Sequence, residues 1–386
     1  MAVNDILGIR VQNIKSIIDA VRFEDGITKK TIADKTGLSF ATVSNLCNEL
    51  IERGVLVTSK QSTRLVGRTP QIVFFNSMRY NTICLNLQMQ GMMGLAILNF
   101  KNEVVFQKKY DISALKTTEA IITYAKQAFY QDFLDHSDTE LEFIGVGVAV
   151  SSIFDINSER LINNAVDIFQ NVKMKEIVEE IFDLPAYIDN EANLCALSIE
   201  SSSNNFSNIV YLHISEGVGI GIIADGNLMR GNNGYAGEIA HMPVGNPEIQ
   251  CPTCGNYGCI ENNLSVNGFL RKMFGNYEMN RVEKWNAFIQ AVQNQNDKAL
   301  RMVKENGALL GKLSSILINL LDPEILYIGG DIASVFPYAE DIFWEQITSR
   351  CPLIAGKSFK VVCDNNSEQT INIGISEKIC TSWSPS

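Results

Sequence analysis

Apolar side chains recur at helical spacing over residues 10–22, with Val11, Ile14, Ile17, Ile18 and Val21 on one stripe, which predicts an amphipathic helix. A short second helix is expected over residues 28–35. Gly37 then makes a tight turn, and Ser39 is suited to cap a third helix. That helix should bury Val43, Leu46, Leu50 and Ile51 and stop at Gly54. Two apolar stretches, 55–58 and 71–75, predict strands joined by a basic loop. Helix, glycine turn, helix and strand pair together predict a winged helix-turn-helix. Beyond residue 82 the pattern changes. Residues 82–87, 94–99 and 104–110 read as three strands in a row, 118–133 as a helix and 143–150 as a buried strand. Further strands are expected at 187–188, 209–214, 219–224 and 325–328, and helices at 191–200, 266–274 and 307–321. Alternation of this kind predicts an α/β fold. Residues 275–300 are polar and Asn-rich and predict no element.

The length of 386 residues suits two or three domains, and the long body should split into two lobes around a cleft. No apolar run is long enough to span a membrane, and no secretory signal opens the chain. Nine cysteines, an odd number, fit a reducing cytoplasm. The net charge of −11 is unevenly spread. Residues 1–80 carry 11 basic and 7 acidic side chains, while the remainder carries 21 and 36. A basic head on an acidic body predicts that the head alone meets a polyanion. On the third helix Ser39, Thr42 and Asn45 are small hydrogen-bonding side chains of the kind that read base edges in a major groove. Arg64 and Arg68 of the basic loop could enter a narrow minor groove. The alternative is a winged helix used only for protein contacts, with a solvated basic loop.

The densest chemistry lies in Glu238-Ile-Ala-His241 and Cys251-Pro-Thr-Cys254-Gly-Asn-Tyr-Gly258-Cys259-Ile-Glu261. Three thiolates and one imidazole, from Cys251, Cys254, Cys259 and His241, make a complete tetrahedral shell for structural Zn²⁺. A redox Cys-x-x-Cys and three plain reduced cysteines are the alternatives. This segment resembles the signature of the ROK family (repressors, open reading frames and kinases of sugars). It departs from that signature twice: Ala240 replaces a glycine, and two residues rather than one separate Cys251 from Cys254. The wing turn Gly67-Arg68-Thr-Pro70 agrees with the repressors of that family. The resemblance implies a two-lobed actin-like, ribonuclease-H-like body behind a DNA-binding head at residues 1–80. Lobe 1 would comprise about 81–190 plus a C-terminal helix at about 373–386, and lobe 2 about 191–372.

A sugar kinase of that family needs a phosphate loop after the body's first strand. The matching stretch, Asn86-Leu-Gln-Met-Gln-Gly91, has an amide in place of the acid, and Gln88 and Met89 would fill the phosphate space. In Asp189-Asn190-Glu191-Ala-Asn193, Glu191 stands where the catalytic aspartate would be, one methylene longer and displaced from the position a base needs. Glu216-Gly-Val-Gly219-Ile-Gly221 still resembles a second phosphate loop, and Gly329-Gly330-Asp331 resembles the family's adenosine-side loop, though either could be a plain turn at the end of a strand. No catalytic residue is therefore expected, and an active kinase with an appended head is the rival reading. By the resemblance, sugar contacts fall on Asn190, Glu191, Glu238, His241 and Glu261, with Ser151-Ser152 replacing the family's Pro-Gly turn. The implied protein is a cytoplasmic, sugar-responsive transcriptional repressor. It would hold zinc, bind double-stranded operator DNA as a homodimer or homotetramer, and take a monosaccharide or derivative as effector.

Overall fold

A computed structural model of the chain describes residues 2–60, 71–88, 91–137, 140–162, 167–202, 206–275, 280–351 and 359–385. The head is built from α1 (Ala2–Arg22), β1 (Ile27–Thr28), α2 (Lys29–Thr36), α3 (Phe40–Glu52), β2 (Leu56–Lys60) and β3 (Gln71–Phe75). Its small antiparallel sheet has the order β1-β3-β2. Thr28 and Ser39 cap α2 and α3, each accepting from the backbone N–H three residues on. Gly37, at φ 70°, ends α2 in the left-handed conformation that glycine adopts without strain. The inner face of α3 is Val43, Leu46, Cys47 and Leu50; Cys47 takes the place expected for Ile51, which is only half-buried.

The first body sheet contains β4 (Tyr80–Asn86), β5 (Met92–Asn99), β6 (Val104–Asp111), β7 (Glu142–Val150) and β10 (Ala186–Asn190), in the order β10-β7-β4-β5-β6. Between them lie α4 (Thr118–Asp132), the short pair β8 (Ile153–Asp155) and β9 (Arg160–Ile162), and α5 (Met174–Phe182). A second five-stranded sheet has the order β13-β12-β11-β14-β15. Its strands are β11 (Ile209–Ile214), β12 (Val218–Ala224), β13 (Asn227–Leu228), β14 (Ile325–Gly329) and β15 (Lys360–Cys363). Around it run α6 (Glu191–Ser202), α7 (Glu261–Leu264), α8 (Val266–Phe274), α9 (Arg281–Gln293), α10 (Asp297–Leu321), α11 (Glu340–Arg350) and α12 (Ser367–Ser382). The antiparallel three-strand meander followed by parallel crossovers, in which β4 pairs with β7 and β7 with β10, is the expected α/β arrangement. Several bounds differ from the sequence reading. The stretch 275–300 holds α9 and the start of α10, which begins at Asp297 rather than at 307. The C-terminal helix begins at Ser367 rather than at about 373 and ends at Ser382.

Two helices join the parts. α6 and α12 cross so closely that a Cβ on Gly374 would lie 1.9 Å from the carbonyl oxygen of Leu194. At its other end α12 reaches the head. Arg22 of α1 is buried there; its Nη1 donates to Glu377 at 2.9 Å and its Nε to the carbonyl of Phe100 at 2.6 Å. Trp383 packs against Tyr80 and Phe100 at ring separations of 4.9 and 5.3 Å. Ile14, Ile17, Ile18 and Val21 of α1 thus share one apolar core with Tyr80, Ile371 and Ile379 of the body. Among the described residues, no helix is long and apolar enough to cross a membrane.

Candidate ligand cleft and metal centre

The loop between β13 and α7 brings His241, Cys251, Cys254 and Cys259 together, with one ligand atom from each lying within 4.8 Å of the others. His241 Nδ1 is 3.7 Å from Cys251 Sγ, and the sulfurs of Cys254 and Cys259 are 3.4 Å apart. Ligands about 2.3 Å from a tetrahedral zinc lie about 3.8 Å from one another, so the donor set fits a metal of that size and softness. Burial raises the Cys251 thiol, but backbone N–H groups of Cys254 and Thr253 and the neighbouring thiols outweigh it and bring the group down to about 6. The extra residue between Cys251 and Cys254 is absorbed by a turn in which the Gly255 N–H donates to the Cys251 carbonyl at 3.0 Å.

One wall of a cleft of about 360 Å³ is made by this loop, a size suited to a small molecule. All five residues expected at a sugar site line it: Asn190, Glu191, Glu238, His241 and Glu261. Each is positioned by local structure. Asn190 ends β10 and spends its side-chain oxygen on the N–H of Asn193 at 2.8 Å, capping α6 and leaving its amide NH₂ to donate. Asp189 holds Asn193 at 2.9 Å and pairs with Arg230, which fixes the turn. Glu191 opens α6. Its Oε1 accepts from Ser151 at 2.9 Å, whereas Oε2 is buried with no partner. Glu238 follows Gly237, whose φ of 91° and place against the Ile220 carbonyl leave no room for a side chain. The Glu261 N–H donates to the Ala240 carbonyl at 3.0 Å, tying α7 to the loop that carries the His/Cys cluster.

Burial governs the electrostatics. It raises the Glu191 carboxyl to about 7; hydrogen bonds to its own backbone and from Ser151 oppose this, while the charges of Glu238 and Glu216 add to it. Glu261 is also raised by burial, against the pull of His241 and Arg271. Glu238 is pushed up for the same reason, with His241 opposing and Glu261 reinforcing. It is the most accessible of the three, so solvent screens part of that push. Sequence reasoning missed Arg271, Asn267 and Thr253, which also line the cleft. Arg271 and Asn267 point inward from α8 only because α7 and α8 fold back over the sheet, and no local motif signals that.

A smaller cavity of about 160 Å³ adjoins the cleft, sharing Ser151 and Glu216 with it. Asn86 lies here and accepts from the N–H of Gln88 at 3.2 Å, so its amide closes a local turn. Arg281, at the start of α9, is 3.2 Å from Glu216 and 2.7 Å from Asp331. His213 is buried beside it with neither ring nitrogen partnered. Burial lowers that ring to about 4, against the pull of Asp331 and Asp364, which keeps it neutral at pH 7.

On the head, Asn45 and Asn48 are exposed along α3, as are Phe40 and Ala41. Ser39 accepts from the N–H of Thr42 at 3.1 Å, and the two hydroxyls are 2.9 Å apart. Part of their hydrogen-bonding capacity is therefore committed to the cap. Arg64 and Arg68, like Met89, lie outside the described residues.

A sequence model described as the ROK family matches residues 92–361. A xylose repressor of Caldicellulosiruptor bescii is 28% identical over 316 residues, which cover 78% of this chain and 79% of that protein. A ROK family transcriptional regulator, a homologue of the E. coli MLC protein, shares the fold at a TM-score of 0.81 and 19% identity, covering 97% of each chain. A ROK family glucokinase from Streptomyces griseus, solved with glucose and AMPPNP, matches at a TM-score of 0.62 and 18% identity, covering 77% of this chain and 98% of that one.

Proposed function

The chain belongs to the ROK family, and from that premise we propose that it is a DNA-binding transcriptional repressor governed by a monosaccharide held in the cleft. One observation carries the reading. Residues from β10, α6, the metal loop and α7 converge on a single cavity with an unpartnered carboxylate oxygen, in a chain whose head shares its core with the body. Vicinal hydroxyls both donate and accept, so a sugar can satisfy the Asn190 amide and Glu191 Oε2 together. The whole-chain relatives named as repressors, such as the xylose repressor of Bacillus subtilis, which is 22% identical and aligns over 97% of both chains, favour regulation over turnover.

The metal we assign is zinc, bound by His241, Cys251, Cys254 and Cys259 and structural in role, because a shell closed by four protein ligands leaves no position for reactive water. Its task is to hold the loop carrying Glu238 and His241 against α7. His241 approaches Cys251 through Nδ1, so Nε2 is left for the sugar. The reading as a non-kinase is supported by Asn86 in place of an acid, Glu191 in place of the aspartate and Arg281 lying between Glu216 and Asp331.

Coupling to DNA runs through packed helices. Glu191 in the cleft begins α6, α6 lies against α12 at Gly374, and α12 grips Arg22 of the head through Glu377. Sugar closure of the lobes then changes the spacing of two winged heads in a homodimer or homotetramer, and the pair fits its half-sites less well. A cytoplasmic location suits a DNA-binding role and nine cysteines with no disulfide among them. Calorimetry with a panel of monosaccharides tests the site: one sugar should bind, and Glu261→Gln should weaken it by about tenfold or more, the loss of a charged hydrogen bond. Heat from no sugar in the panel, or turnover of ATP with any of them, contradicts the reading.

A further inference from the structure

Resting on the sugar-binding reading above, the charges around the cleft narrow its ligand further. Four carboxylates line it, from Glu191, Glu216, Glu238 and Glu261. Among the described residues Arg271 is the one guanidinium on the wall; it donates to the neutral Asn262 at 3.2 Å, and its field falls on Glu261. Glu216 and Ser151 also face the smaller cavity, so a substituent leaving the sugar on that side enters the space beside Arg281. Among the described residues, each cation there already faces a carboxylate. The Arg281 guanidinium already lies 3.2 Å from Glu216 and 2.7 Å from Asp331. The other cation, Lys109, is 2.7 Å from Glu368. Glu216, Asp331 and Glu368 thus outnumber the two cations of that cavity, and His213 is held neutral by its burial.

A phosphate monoester carries about −1.5 to −2 charge at pH 7 and needs cationic partners to leave water. Hydroxyls need none: Glu191 Oε2 can accept from one and the Asn190 amide can donate to another. We propose that the cleft selects an uncharged monosaccharide and rejects its phosphate ester, and that Glu216 and Asp331 enforce the choice by holding Arg281 between them.

The test is calorimetry on the full-length, metal-loaded protein with matched pairs: D-xylose, D-glucose and N-acetyl-D-glucosamine, each beside its phosphate monoester. The free sugar of the responding pair should bind at least about tenfold more tightly than its ester. Asp331→Asn lies outside the sugar cleft and frees one side of Arg281. It should leave free-sugar affinity within about twofold and narrow the gap by about tenfold. Glu216→Gln, a near-isosteric change, should narrow it in the same direction and serves if Asp331→Asn fails to fold. An ester that binds as tightly as its sugar overturns the proposal while leaving the sugar site intact. So does a variant that shifts both ligands equally. If neither member of any pair binds, the sugar-binding reading itself falls and takes this proposal with it.

Discussion

Replacing Glu191 by glutamine should become progressively less costly, relative to the parent, as pH rises. Burial raises this carboxyl from an ordinary 4.5 to about 7. A carboxyl raised on folding binds its proton more tightly in the native state. Its contribution is therefore fully present below the unfolded pKa, is lost progressively as pH rises from about 4.5 to about 7, and is flat above that. Integrating the linkage between pH 5 and pH 8 gives a loss of about 2.5 kcal/mol. Glutamine cannot ionise, so the variant escapes this loss. Whatever fixed cost the new amide brings, the variant-minus-parent stability difference should improve by about 2.5 kcal/mol over that interval. At roughly 2 °C per kcal/mol for a chain of this size, the difference in Tm should grow by about 5 °C. Thermal denaturation of both proteins, followed by tryptophan fluorescence at the two pH values, reads this directly. A difference in Tm that stays constant with pH would mean that Glu191 is solvated and ionised, and the argument for an unpartnered oxygen awaiting a hydroxyl would fail.

Elemental analysis of purified protein should find about one zinc per chain, and Cys259→Ser should lose the metal together with several degrees of Tm, because metal binding and folding are linked; full zinc content in that variant would refute the ligand set. Asn45→Ala, at an exposed position on α3, should weaken operator binding by about 1–3 kcal/mol, the worth of a good base contact, without changing Tm; unchanged affinity in a gel-shift titration would remove this residue from the interface. Arg22→Met strands Glu377 in a buried setting and should cost about 3–5 kcal/mol, whereas the Arg22→Met, Glu377→Met pair should recover most of that. Equal melting temperatures for the single and double variants would show that the ion pair does not join head to body.

Local signals in the chain mark their elements, and long-range pairings leave no such mark. Ser39 as a cap, Gly37 as a turn and the clustering of His241 with Cys251, Cys254 and Cys259 are each set by neighbours in sequence, and they stand together as the spacing predicts. Helix α9 opens with a capping box, Asn280 with Glu283, but the polar residues of 275–300 dilute its apolar stripe and hide it in the sequence. The start of α12 is hidden for a different reason. It is buried on several sides, through Ile371, Asn372, Gly374, Ile375, Ser376 and Ile379, so it carries no amphipathic period to mark its start. The five cleft residues were found through a family signature rather than through any local pattern. Nothing local reveals that Glu216, Arg281 and Asp331, from three separate segments, close on one another. Such pairing is a product of tertiary packing and has to be seen in the fold.

The central claim is that occupancy of the cleft is transmitted through α6 and α12 to the DNA-binding head. Fluorescence anisotropy with a labelled operator fragment, titrated with protein in the presence and absence of the sugar found by calorimetry, tests it most directly. Saturating sugar should shift the DNA Kd by at least about tenfold, a coupling of roughly 1.4 kcal/mol, and saturating DNA should shift the sugar Kd by the same factor. A sugar that binds the cleft yet leaves the DNA Kd unchanged would contradict the account.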